Sequence, residues 1–123
     1  MATQRLMFNI CSDDLEKSRA FYVRLFDLKV NFESDWFIQL QDKSQPFEIG
    51  IVDRQHEIIP DGYRSLPAGT YLTFVVDDVE VQHQIALQAG DEIIAAPHDT
   101  FYGQRRLLLK DPNGLLVDIS SLM

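Results

Sequence analysis

A second cysteine is missing from the 123-residue sequence, so Cys11 has no partner for an intramolecular disulfide and packing alone must hold the fold. That suits a reducing compartment. Also missing is any apolar run long enough to cross a bilayer. Residues 1–9 lack the basic stretch and apolar core of a secretory leader. The expected location is therefore the cytoplasm, with no membrane partner. Positive charge is scarce: 11 Lys and Arg stand against 19 Asp and Glu, a formal net charge of −8. Such a surface repels phosphate backbones, which argues against nucleic acid, and it attracts cations. What is present is ordinary for a globular chain, 46% hydrophobic and 24% charged residues, enough to bury one core. A single domain over residues 1–123 is expected.

The sequence repeats itself once. Residues 6–28 and 70–92 share a plan at an offset of 64, with Asp13-Asp14-Leu15-Glu16 matching Asp77-Asp78-Val79-Glu80. In each copy an acidic cap followed three residues later by Glu can satisfy free amides at a helix start. Before each cap lies an alternating stretch, Leu6, Phe8 and Ile10 in one copy and Leu72, Phe74 and Val76 in the other, which predicts a strand. After each cap the apolar spacing predicts an amphipathic helix, the first with Leu15, Tyr22, Leu25 and Phe26, the second with Val79, Ile85, Ala86 and Ala89 and ending at Gly90. Three short strands are expected after each helix, at about 28–33, 36–41 and 47–52, then 92–96, 105–110 and 115–120. The unit is βαβββ, twice, an α+β fold with a cupped mixed sheet and helices on the outside. Module 1 covers about 4–53 and module 2 about 70–123. The Pro- and Gly-bearing stretch 54–69 connects them.

Alternation also sorts the strand faces, because every second side chain points the same way. If Leu6, Phe8 and Ile10 meet the helix, then Met7, Asn9 and Cys11 lie opposite, as do Tyr71, Thr73 and Val75 in the second copy. Phe47, Ile49 and Ile51 are expected in the core, leaving Glu48 on the opposite face. Leu115, Val117 and Ile119 are likewise core, leaving Leu116, Asp118 and Ser120 opposite. Met7, Tyr71, Leu116 and Phe37 are awkward on a wet surface and natural in a pocket lining, so this face is the candidate ligand cleft. Gln39 shares the parity of Phe37.

These residues resemble the vicinal oxygen chelate superfamily, which includes glyoxalase I, extradiol dioxygenases, fosfomycin-resistance enzymes and bleomycin-resistance proteins. The resemblance spans nearly the whole chain. It is carried by Asp14-Leu15-Glu16-Lys17-Ser18-Arg19-Ala20-Phe21-Tyr22, by Tyr102-Gly103-Gln104-Arg105, and by the Asp111-Pro112-Asn113-Gly114 turn with Leu115-Leu116-Val117-Asp118 after it. Metal-dependent members place four ligands at positions that map here to Met7, Glu48, Tyr71 and Asp118. Methionine and tyrosine are poor ligands for hard or borderline divalent cations, so no metal and no other cofactor is expected. His56, His83 and His98 fall at the connection, on the second helix and beside Pro97, away from those positions. No catalytic residue is assigned: Cys11 has no histidine to activate it and reads as a passive thiol. Trp36 reads as a core or interface anchor.

The leading expectation is a metal-independent protein that binds or sequesters a small organic molecule, cationic or aromatic, in the sheet cleft. Glu48 and Asp118 would supply negative potential, Met7, Tyr71 and Phe37 apolar contact, and Asn9, Thr73 and Arg105 hydrogen bonds, with Gln39 and Tyr102 completing the ligand-binding set. Two readings stand beside it, a metal-dependent lyase or oxygenase of the glyoxalase or dioxygenase kind and a dimeric interaction module without a small ligand. The resemblance implies a homodimer.

Overall fold

The computed structural model describes residues 2–123. Two compact units divide the chain, the first ending at Pro67 and the second running Ala68–Met123. The first contains β1 (Met7–Ser12), α1 (Leu15–Phe26), β2 (Lys29–Glu33), β3 (Phe37–Gln41) and β4 (Glu48–Asp53). The second contains β5 (Tyr71–Val75), α2 (Val79–Ala89), β6 (Glu92–Asp99), β7 (Gln104–Lys110) and β8 (Leu116–Leu122). Each is therefore a βαβββ module of an α+β fold, as the repeat predicts. Each module has its own four-stranded mixed sheet, in the order β1-β4-β3-β2 and β5-β8-β7-β6. The pairs β1/β4 and β5/β8 are parallel, and the remaining pairs are antiparallel.

The helices begin where the acidic pairs predict, but the cap is the second aspartate of each pair, so Glu16 and Glu80 follow it by two residues and not by the expected three. Asp14 accepts from Lys17 N–H at 3.0 Å and Asp78 from Glu80 N–H at 2.9 Å. Gly90 ends α2 in the left-handed region at φ 74°, and Asp27 ends α1 there at φ 52°. The Asp-Pro-Asn-Gly segment closes as a turn around Asp111, whose carboxylate accepts from the N–H groups of Asn113 and Leu115, both at 2.8 Å.

One face of each sheet is closed by its helix. In the first unit Ile10, Ile38, Leu40, Ile49 and Ile51 pack beneath Phe21, Tyr22 and Leu25, all nearly inaccessible. In the second, Leu107, Leu109, Leu115, Val117 and Ile119 are fully buried with Val79 and Ala86 of α2. Three expected core positions lie elsewhere. Leu6 precedes β1 and is 79% exposed, and Phe47 precedes β4 and is 37% exposed, because alternation fixes direction only inside a paired strand. Ala89, in the last turn of α2, is also exposed. Among the described residues, no helix is long and apolar enough to cross a membrane.

Candidate functional site

The face of the first sheet away from α1 is assembled by register. Parallel pairing sets Met7 beside Glu48, Asn9 beside Gly50 and Cys11 beside Val52. Antiparallel pairing then sets Phe37 beside Val52, Gln39 beside Gly50 and Gln41 beside Glu48. Met7, Asn9, Phe37, Gln39 and Glu48, expected to share one face from parity, are thus brought together.

That face floors a cavity of about 460 Å³. Met7, Asn9, Cys11, Phe37 and Val52 come from the strands, and Trp36 from the residue before β3. The remaining wall is Ile58, Ile59 and Pro60. The volume is that of a small-molecule pocket, and the lining is mostly apolar. The wall comes from the segment after β4, which folds onto the first unit. Arg54 pairs with Asp13 at 2.6 Å, Arg64 Nε donates to the Ile59 carbonyl at 2.7 Å, and the Cys11 thiol donates to the Tyr63 carbonyl at 3.7 Å. His56 stacks on Trp36 with ring centres 4.0 Å apart and planes 13° apart, and its Nδ1 accepts from Ile58 N–H at 3.1 Å. Burial pushes the Cys11 thiol pKa up, against the opposing charge of Arg54.

Gly50 has a steric role here. A Cβ at that position would lie 2.0 Å from Asn9 Oδ1 and 2.8 Å from Phe37 Cε1. The Asn9 amide and the Phe37 ring therefore occupy space that only glycine leaves open over β4.

Glu48 is already engaged. Arg5 grips both its oxygens, and Gln39 Nε2 donates to Oε1. The Arg5 hydrogen bonds hold its carboxyl below the usual glutamate range.

In the second unit Tyr71, Thr73 and Asp118 share the face away from α2. Tyr71 is 53% exposed, whereas Asp118 is buried. Asp118 accepts from Thr73 Oγ1 at 2.9 Å, Ser120 Oγ at 3.0 Å and Arg106 Nε at 3.1 Å. Burial opposes the charge of Arg106, but the hydrogen bond and charge of Asp118 outweigh it and leave that guanidinium's pKa raised. Arg105 is on the other face. It reaches Glu80 at the start of α2 and Asp99 on β6, each at 2.9 Å, so it does not join Thr73 and Asp118. Tyr102 lies half-exposed in the turn before β7, packed edge-on to the fully exposed Phe101.

Sequence reasoning left Arg106 and Arg5 unassigned, along with the Ile58–Ile59–Pro60 wall and the packing role of Gly50. A signal existed for one of them. Arg105 has the parity of the core residues Leu107 and Leu109, so its neighbour Arg106 had to face the other way.

The four positions that the resemblance maps to metal ligands do not fit a divalent cation here. A thioether and a phenol occupy two of them, and both carboxylates are spent on arginines and neutral donors. Register adds a further mismatch. Glu48 lies beside Met7, whereas Asp118 lies beside Thr73, so the first-module place that matches Asp118 is Gly50, which has no donor. Among the described residues, no three His, Cys, Asp or Glu side chains gather as a metal site.

The family model for the Glyoxalase/Bleomycin resistance protein/Dioxygenase superfamily matches residues 5–119. A family enzyme from Burkholderia phytofirmans PsJN is similar at 26% identity and TM-score 0.81, over 95% of this chain and 97% of that one. The fold is also that of an antibiotic binding protein from Streptomyces sp. CB03234, at 18% identity and TM-score 0.75, over 99% of this chain and 98% of that one. Lactoylglutathione lyase from Agrobacterium tumefaciens shares it at 18% identity and TM-score 0.74, over 98% and 94% of the two chains. No curated protein matches the sequence.

Proposed function

This chain belongs to the Glyoxalase/Bleomycin resistance protein/Dioxygenase superfamily, and from that premise we propose that it binds a small, aromatic organic molecule in the first-module cavity without a metal ion. One observation carries the reading: a cavity of about 460 Å³ whose lining includes Trp36, Phe37, Met7 and Ile59 and no free carboxylate. A metal-dependent reaction would need donors that these side chains do not offer. Of the two ligand types expected, the aromatic one is favoured, because Glu48 and Asp118 already hold arginines and have little field left for a cation. The antibiotic binding protein of the same fold is a precedent for binding, not an identification of the ligand.

Met7, Asn9 and Phe37 are the proposed contacts, and Gln39 supports the floor through Glu48. Tyr71, Thr73 and Asp118 belong to the open face of the second module. We extend the reading to a cytoplasmic homodimer, on the ground of the family resemblance and the unpaired Cys11. Sedimentation of the purified chain tests the dimer.

Calorimetry with EDTA present tests the binding. A library of planar aromatic compounds should yield a ligand whose affinity falls roughly tenfold or more on Phe37→Ala or Trp36→Ala, the loss expected from one buried ring. Tyr71→Ala should leave it unchanged. Stoichiometric nickel, zinc or iron in the purified protein would overturn the reading.

A further inference from the structure

We propose that Asn9 selects the ligand of the first-module cavity, and that this ligand is uncharged and aromatic with a lactam- or imide-like edge. The inference rests on the binding reading above and names the chemical class that would satisfy it. Rings and aliphatic groups supply contact area without direction. Cys11 already donates to the Tyr63 carbonyl, and the indole of Trp36 can only donate. Asn9 alone among the lining residues offers both a strong donor and a strong acceptor, and its side-chain amide has no hydrogen-bond partner among the described residues.

Its place is fixed by packing. Pairing sets Asn9 beside Gly50, and a Cβ there would lie 2.0 Å from Asn9 Oδ1 and 2.8 Å from the Phe37 ring. The amide therefore lies over the β4 backbone, next to an aromatic ring, in space kept free by the missing side chain. The carboxylate on the same face, Glu48, is closed by Arg5 and Gln39. The polar contact on offer is neutral and directional, and the complement of a primary amide is another amide edge, with donor and acceptor side by side. Asn9 is exposed, so the selectivity is roughly tenfold, well short of that of a fully buried polar site.

Three probes of similar size test this by calorimetry on the full chain with EDTA present: phenanthridinone, a neutral lactam; methoxyphenanthridine, its O-methyl ether; and the N-methylphenanthridinium cation. The lactam should bind roughly tenfold more tightly than the other two. Asn9→Leu should abolish that preference while the ether still binds. Gly50→Ala should also abolish the preference by displacing the amide without removing it, and should weaken all three probes together by pushing on the Phe37 ring, with thermal unfolding confirming that each variant is folded. Equal affinities in the unmodified protein, or tightest binding by the cation, would overturn the inference and leave the binding reading standing. If none of the three releases heat or changes the fluorescence of Trp36, the inference fails, and the binding reading fails with it only when the wider aromatic library is silent too.

Discussion

The two modules differ at one matched pair of positions on the face away from the helix. In the first, Asn9 lies beside Gly50, and the amide rests on a bare backbone with no protein hydrogen bond. In the second, Thr73 lies beside Asp118, and the hydroxyl donates to a buried carboxylate that also takes Arg106 and Ser120. The helix-facing sides are alike, with Ile51 and Ile119 both wholly buried at matched places. Repetition has thus kept the face that holds the fold and changed the face that can meet a ligand. The first module leaves polar capacity free beneath a wall of its own chain. The second spends that capacity on itself.

The largest expected effect tests the shared side. Ile51→Ala and Ile119→Ala should each cost about 2–5 kcal/mol in urea unfolding, because each leaves a cavity in a closed core. A cost confined to one module would break the equivalence. Next comes the divergent pair. Asp118→Ala strips a partly buried Arg106 of its ion pair and should cost about 2 kcal/mol, whereas Asn9→Ala should change stability by less than about 0.5 kcal/mol. Equal costs would mean that Asn9 is structural after all. The caps should behave as twins, with Asp14→Ala and Asp78→Ala each losing about 1 kcal/mol.

The smallest effect is one of pH. The carboxyl of Glu48 is held below its ordinary range when folded, so its contribution is present above that range and is lost as pH falls through the folded value. Glu48→Gln should therefore flatten the acid limb of a stability–pH curve, lowering stability near neutrality and leaving it unmoved at low pH, where the parent carboxyl is already protonated. A curve of unchanged shape would show that the contact with the exposed Arg5 contributes nothing.

Much of the frame was legible because it is written locally. The capping pairs, the alternation of Phe8 and Ile10, and the Asp111 turn each act within a few residues, so the modules and their strand faces could be read directly. Leu6 and Phe47 were misplaced because they fall just outside the paired strands, where alternation no longer binds. The site was legible by half: Met7, Asn9, Phe37 and Glu48 follow from parity, but the state of Glu48 does not.

By itself the sequence determined the duplicated βαβββ plan and which residues turn away from each helix, since a period of two and a helix cap are properties of neighbours along the chain. Only the tertiary structure decided that Arg5 closes Glu48, that Arg106 and not Arg105 meets Asp118, that residues 58–60 wall a cavity, and that Gly50 makes room for Asn9. Those outcomes join residues such as 5 and 48 or 11 and 63, and a through-space contact at that separation leaves no periodic trace in the chain.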